Sequence, residues 1–68
     1  MRSSMSNEYF EQEVGFIRED EYAICVEDVE GNAVWFPHSE IKDVLIDYDL
    51  KEITFWATEL ILAEKGWV

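Results

Sequence analysis

Tyr22-Ala23-Ile24-Cys25-Val26-Glu27-Asp28-Val29-Glu30-Gly31-Asn32-Ala33-Val34-Trp35-Phe36-Pro37 is the stretch that decides how this chain folds. Tyr22, Ile24 and Val26 alternate with other residues at period two, the signature of a strand with one buried face. Val29 to Asn32 interrupts the run, and Gly31 and Asn32 tolerate the positive φ angles of a tight turn. Ala33 to Phe36 is extended and apolar again. Pro37 stops it, having no N–H to give to a ladder. Strand, turn and strand make a hairpin.

The same period runs outward on both sides. Upstream, Val14 and Phe16 belong to a strand beginning at Glu13, and Glu19-Asp20 must turn the chain without a glycine. Downstream, Ile41 to Tyr48 reads as a fourth strand. Val44, Ile46 and Tyr48 share one side; Lys42, Leu45 and Asp47 lie less regularly on the other. Asp49 begins a turn, and Glu52 to Phe55 makes a short fifth strand. The period then changes: Trp56, Leu60, Ala63 and Trp67 recur at helical spacing, with Ile61 broadening the stripe. Thr54 is the expected N-cap, Gly66 suits the left-handed position past the helix end, and Trp67 would pack back on Leu62.

The expected fold is therefore α+β: a small antiparallel β-sheet or open barrel of about five strands, closed by a C-terminal helix. Residues 13–68 form one domain, and residues 1–12 a lead-in, either flexible or a short helical turn. Met5 reads as the native start, with the first four residues an appended remnant. At 68 residues only one domain is possible, and the 49% hydrophobic content, with its three Trp, four Phe and three Tyr, separates the chain from disordered acidic sequences.

Sixteen carboxylates against five Lys/Arg give a formal charge of −11, beyond the magnitude of about 2–8 that suffices to keep a small domain soluble. Such a surface repels nucleic acid and anionic membrane and attracts proteins that bind polyanions. The carboxylates fall in pairs two residues apart: Glu11/Glu13, Glu19/Glu21, Asp28/Glu30 and Asp47/Asp49. On a strand such residues share a face about 6.7 Å apart, close to the spacing of successive phosphates on one nucleic-acid strand. If consecutive strands are antiparallel, Glu19, Asp20 and Glu21 gather at one end of the sheet with Glu40 and Asp43. Glu11, Glu13, Asp28, Glu30, Asp47, Asp49 and Glu52 gather at the other, which becomes the expected principal contact surface. Acidic loops also serve plain solubility, and that reading stands beside this one.

Other chemistries find little purchase. Cys25 is the only cysteine; it lies in an apolar run, reads as a small buried hydrophobe and fits a reducing cytoplasm. His38-Ser39-Glu40 holds the residue types of a hydrolase triad, but neighbours in sequence do not assemble in series. Glu27 to Asn32 lacks the alternating oxygen ligands of a calcium loop, and one His with one Cys makes no zinc site. No catalytic, metal or cofactor site is expected. Trp35 faces away from Val34 and Phe36, either under the helix or outward.

Val34-Trp35-Phe36-Pro37-His38-Ser39-Glu40-Ile41, then Ile53-Thr54-Phe55-Trp56, then Ala63-Glu64-Lys65-Gly66-Trp67 resemble a type of short phage-encoded protein. Its pattern is a Trp-x-Pro-x-Ser-x-Ile strand exit, an apolar strand, and a Trp-containing helix ending near Glu-Lys-Gly. The similarity covers roughly residues 14–67, and this chain departs from the pattern in being unusually acidic. In character it resembles the DNA-mimicking anti-CRISPR and anti-restriction inhibitors, which share charge and size rather than a motif. The resemblance implies a monomeric, non-enzymatic inhibitor in the host bacterial cytoplasm. Its implied partner is a basic DNA-binding protein or CRISPR effector subunit, with no direct nucleic-acid or membrane binding. The alternative is a phage adaptor domain that binds a protein through Trp35 or a sheet edge.

Overall fold

In the computed structural model, which describes residues 8–67, the centre of the molecule is one long strand, β1 (Tyr9–Glu19). It is flanked by β2 (Ala23–Glu27), β3 (Ala33–Pro37), β4 (Ile41–Asp47) and β5 (Glu52–Thr58), followed by a short helix, α1 (Glu59–Glu64). All pairings are antiparallel, in the order β3-β2-β1-β5-β4. The expected five-strand α+β sheet with a C-terminal helix is thus what the chain forms.

The two halves of β1 serve different neighbours. Its first half pairs with β5, from Tyr9↔Thr58 to Gly15↔Glu52, and its second half with β2, from Gly15↔Glu27 to Glu19↔Ile24. Gly15 is paired on both sides. A Cβ there would lie 3.1 Å from Glu27 Oε1, so glycine lets the Glu27 side chain lie close across β1. Immediately beyond, the register shifts between Phe16 and Arg18, a bulge that sharpens the twist.

The sheet consequently folds over on itself. β3 and β5 are three strand spacings apart in the order, about 14 Å in a flat sheet. Yet the rings of Phe36 on β3 and Phe55 on β5 lie with centroids 5.0 Å apart. A single 3-10 turn, His38–Glu40, carries the chain from one edge strand to the other. The strand ends it joins, Pro37 and Ile41, are therefore at most about 14 Å apart. The His38 amide donates to the Tyr22 carbonyl at 2.9 Å, and its Nε2 lies 3.0 Å from the Asp20 carbonyl, tying this connection to the β1–β2 turn. The core lies inside the fold: Ile24 and Val26, Phe36, Ile41, Ile53, Phe55 and Ala57, with Ile61 and Leu62 from the helix.

Helix α1 has six residues, too few to persist alone, so its ends and its packing hold it. Thr58 Oγ1 accepts from the Ile61 amide at 3.2 Å. At the other end Trp67 N donates to Leu62 O at 2.8 Å and Gly66 N to Ala63 O at 3.1 Å, with Gly66 at φ +78°: a Schellman termination, as the Gly66-Trp67 pair suggested. The Trp67 ring then meets Phe36 edge-on at 5.0 Å.

Several boundaries differ from the sequence reading. The lead-in expected to reach residue 12 ends sooner, because Tyr9 to Gln12 already pair with β5; residues 1–7 lie outside the described part. β5 runs on to Thr58, and the cap is Thr58 rather than Thr54. The reason is that Ile53, Phe55 and Ala57 keep alternating into the core, leaving Trp56 in a strand. The helix buries Ile61 and Leu62, while Leu60 and Ala63 face solvent. The uneven side of β4 also has a cause: the register shifts between Lys42 and Leu45, and Asp43 takes a left-handed φ of 54°.

Candidate partner-binding surface

Paired residues on neighbouring strands share a face, so the register lays out the side of the sheet turned away from the core. Across its middle runs the row Ala33, Glu27, Gly15, Glu52, Asp47, one residue from each strand. Glu27 and Glu52 flank a glycine with no side chain, on strands about 10 Å apart. One step along β1 stands Glu13, opposite Thr54, and one further Glu11, opposite Trp56. Glu11, Glu13, Glu27, Glu52 and Asp47 thus lie on one face, all exposed. No element among the described residues packs on it, since α1 packs on the other face.

Glu27 was not among the residues singled out from sequence. Its parity with Cys25, opposite to Ile24 and Val26, is the signal that marks it as outward-facing, and Gly15 is what brings Glu52 near it.

The turns sort the remaining carboxylates differently from expectation. The β2–β3 turn projects beside Gln12 to Val14, whereas the β4–β5 turn projects the opposite way, where Phe16 N donates to Lys51 O at 2.8 Å. Tyr48 then donates its hydroxyl to Glu19 Oε1 at 2.9 Å. Asp49 accordingly sits towards Glu19, Asp20 and Glu21, and Asp28 with Glu30 sits towards Glu13. The two turns expected to share one end do not: each hairpin covers a different half of β1, so their tips diverge diagonally from its centre.

Three aspartates have work inside the fold. Asp20 Oδ1 accepts from the amides of Tyr22 and Ala23 at 2.8 and 2.9 Å, which is how the chain turns there without glycine. Asp28 Oδ1 accepts from Glu30 and Asn32 at 2.9 and 2.8 Å, and Asp47 Oδ1 from Asp49 and Leu50 at 3.0 Å each. The two amides hold the Asp20 carboxyl below its usual value, helped by nearby Arg18 and His38 and opposed by desolvation. Donation to Glu19 raises the Tyr48 phenol, because it favours the protonated form.

Two of the described cations share this face, Lys42 in the cross-strand row of Trp56 and Glu11, and Arg18 opposite Cys25. Of the four described, Arg18 lies over Trp35 at 5.6 Å, Lys42 over Tyr9 at 4.1 Å and Lys65 over Phe36 at 5.8 Å, so three rest on aromatic rings. Trp35 faces outward rather than under the helix, is 38% exposed and pairs with Cys25, which is buried on that same face. Leu45, opposite Thr54, is 73% exposed. Among the described residues there is no group of three or more His, Cys, Asp or Glu arranged to hold a metal ion, and no helix long and apolar enough to cross a membrane. No family model, curated protein or solved structure matches the chain.

Proposed function

We propose that this chain is a stoichiometric inhibitor of a host DNA-binding defence complex, placing carboxylates where the complex binds phosphates. The observation that carries the reading is the exposed row around Gly15, with Glu13, Glu27, Glu52 and Asp47 on one uncovered face of a chain of net charge −11. Carboxylates on strands about 5 to 10 Å apart, with Glu11 and Glu13 about 7 Å apart along β1, suit a groove of Arg and Lys built for a phosphate backbone. The likeness in charge and size to anti-CRISPR inhibitors makes a CRISPR effector subunit the target in this reading, with a restriction enzyme as the variant, acting in the host bacterial cytoplasm. The chain would bind and occlude rather than catalyse.

The test is capture from host lysate on the immobilised protein, at low and high salt and with competing duplex DNA. Recovery of a nucleic-acid-binding complex that salt and DNA both displace supports the reading, and Glu13→Lys with Glu27→Lys and Glu52→Lys should then abolish capture. Salt-resistant capture of a protein without nucleic-acid function overturns it. That result would favour the adaptor reading, which the exposure of Trp35 supports and which Trp35→Ala would disrupt.

A further inference from the structure

Each half of β1 has a strand on one side only, β5 along the first half and β2 along the second, and Gly15 alone is paired on both. Phe16 N donates to Lys51 O, directed towards β5. In an antiparallel pair, hydrogen-bonded residues alternate. Val14, Gln12 and Phe10 therefore direct their backbone groups to β5, and Glu13, Glu11 and Tyr9 direct theirs to the opposite edge. Gly15, of the same parity, uses that edge to pair with Glu27. β2 ends there, so among the described residues no strand continues alongside Tyr9 to Val14.

This edge differs from the outer edges of β3 and β4, and from the open side of β1 beyond Phe16, which is short and carries the register shift before Arg18. The β3 edge is five residues long and ends in Pro37, and the β4 edge is broken by the shift at Asp43. Bulges and prolines protect edges against pairing. From Tyr9 to Gly15 β1 has neither, and its register with β5 is unbroken. Beside it lies a groove of about 500 Å³, lined by Glu13, Val14, Asp28, Val29, Glu30 and Trp67 among others. Val29 is fully exposed and Trp67 half-buried, giving the groove an apolar element between carboxylates.

We propose that an extended protein segment with Arg or Lys alternating with aliphatic residues adds as a strand to the free Tyr9–Val14 edge of β1. Its basic side chains would share the outward face with Glu11 and Glu13, and its aliphatic ones would lie towards Val14, Val29 and Trp67. A second copy of the chain is the wrong occupant: it would set Glu11 and Glu13 against their own counterparts, with −11 on each partner. The proposal rests on the basic partner of the preceding reading and adds the strand that makes contact.

The probe is a synthetic peptide, acetyl-Val-Arg-Val-Lys-Val-Arg-Val-amide, with two versions N-methylated on one or the other alternate set of amides. Affinity and backbone amide exchange are measured on the intact protein. Exchange at Glu11 and Glu13 should slow about tenfold or more on saturation. One methylated version should bind about tenfold or more weakly while the other binds like the parent, because only one set of amides faces β1. Equal affinity of the two methylated versions, unchanged exchange at Glu11 and Glu13, or no binding by any peptide overturns the strand. Salt-sensitive binding indifferent to methylation would do so while leaving charge mimicry intact; that reading falls separately, on salt-resistant lysate capture.

Discussion

At the scale of single residues, the same carboxylate serves two masters. Asp20, Asp28 and Asp47 each give one oxygen to two backbone amides and leave the other for solvent or a partner. Sequence shows the residue type but not the division of labour, because an aspartate opening a turn and one aimed at a partner look alike. Asp28→Ala should cost about 1 kcal/mol in urea unfolding, through two amides left to water. An unchanged midpoint would mean that the turn holds without it. Asp20 allows a pH test, since Asp20→Asn keeps the accepting oxygen and removes the charge. Its carboxyl is lowered in the fold, so it contributes stability above its unfolded value, and this is lost as pH falls through the lowered one. The wild type should be the more stable at neutral pH, and the gap should close in acid. A gap independent of pH would show that the charge on Asp20 adds nothing.

At the scale of elements, period two carried nearly everything that was legible. It located β2, β3 and the core side of β4, because those faces are buried and a one-residue slip would expose every apolar side chain. It gave out where strand met helix, since Trp56, Leu60 and Ala63 fit a helical stripe while Ile53, Phe55 and Ala57 fit a strand, and only pairing with β1 decides. The bulge at Ile17 escaped for the same reason, since its type is ordinary for a strand. Asp43, by contrast, is of a type uncommon in strands and tolerant of the left-handed φ it adopts. The caps can be tested directly. Thr58→Ala should cost about 1 kcal/mol by removing the oxygen that accepts from Ile61. Gly66→Ala should cost about 1 kcal/mol despite open space around it, because the penalty lies in its φ of +78°. If Gly66→Ala left the unfolding midpoint in place, the Schellman ending would not be what fastens Trp67 over Phe36.

At the scale of the whole molecule, the candidate surface exists because β1 is shared. Gly15 lets two hairpins meet at the middle of one strand, and their carboxylates converge there, although the sequence separates Glu27 from Glu52 and suggests a grouping at the sheet's end. Individual acidic residues were legible; their neighbours were not, since adjacency follows from which half of β1 each hairpin takes. Concentrating like charge has a thermodynamic consequence that needs no partner. Repulsion across about 5–10 Å lies within the Debye length of about 10 Å at 0.1 M salt, so salt should raise the melting temperature. The triple change Glu13→Lys, Glu27→Lys and Glu52→Lys adds two units at each site and takes −11 to −5. It should melt at a higher temperature than the wild type in low salt, with a smaller response to added salt. If it melts lower at every salt concentration, the carboxylates are held by favourable contacts and the face is part of what stabilises the sheet. If it melts higher, the wild-type arrangement costs stability, which is the pattern expected of charges kept in place for binding rather than for folding.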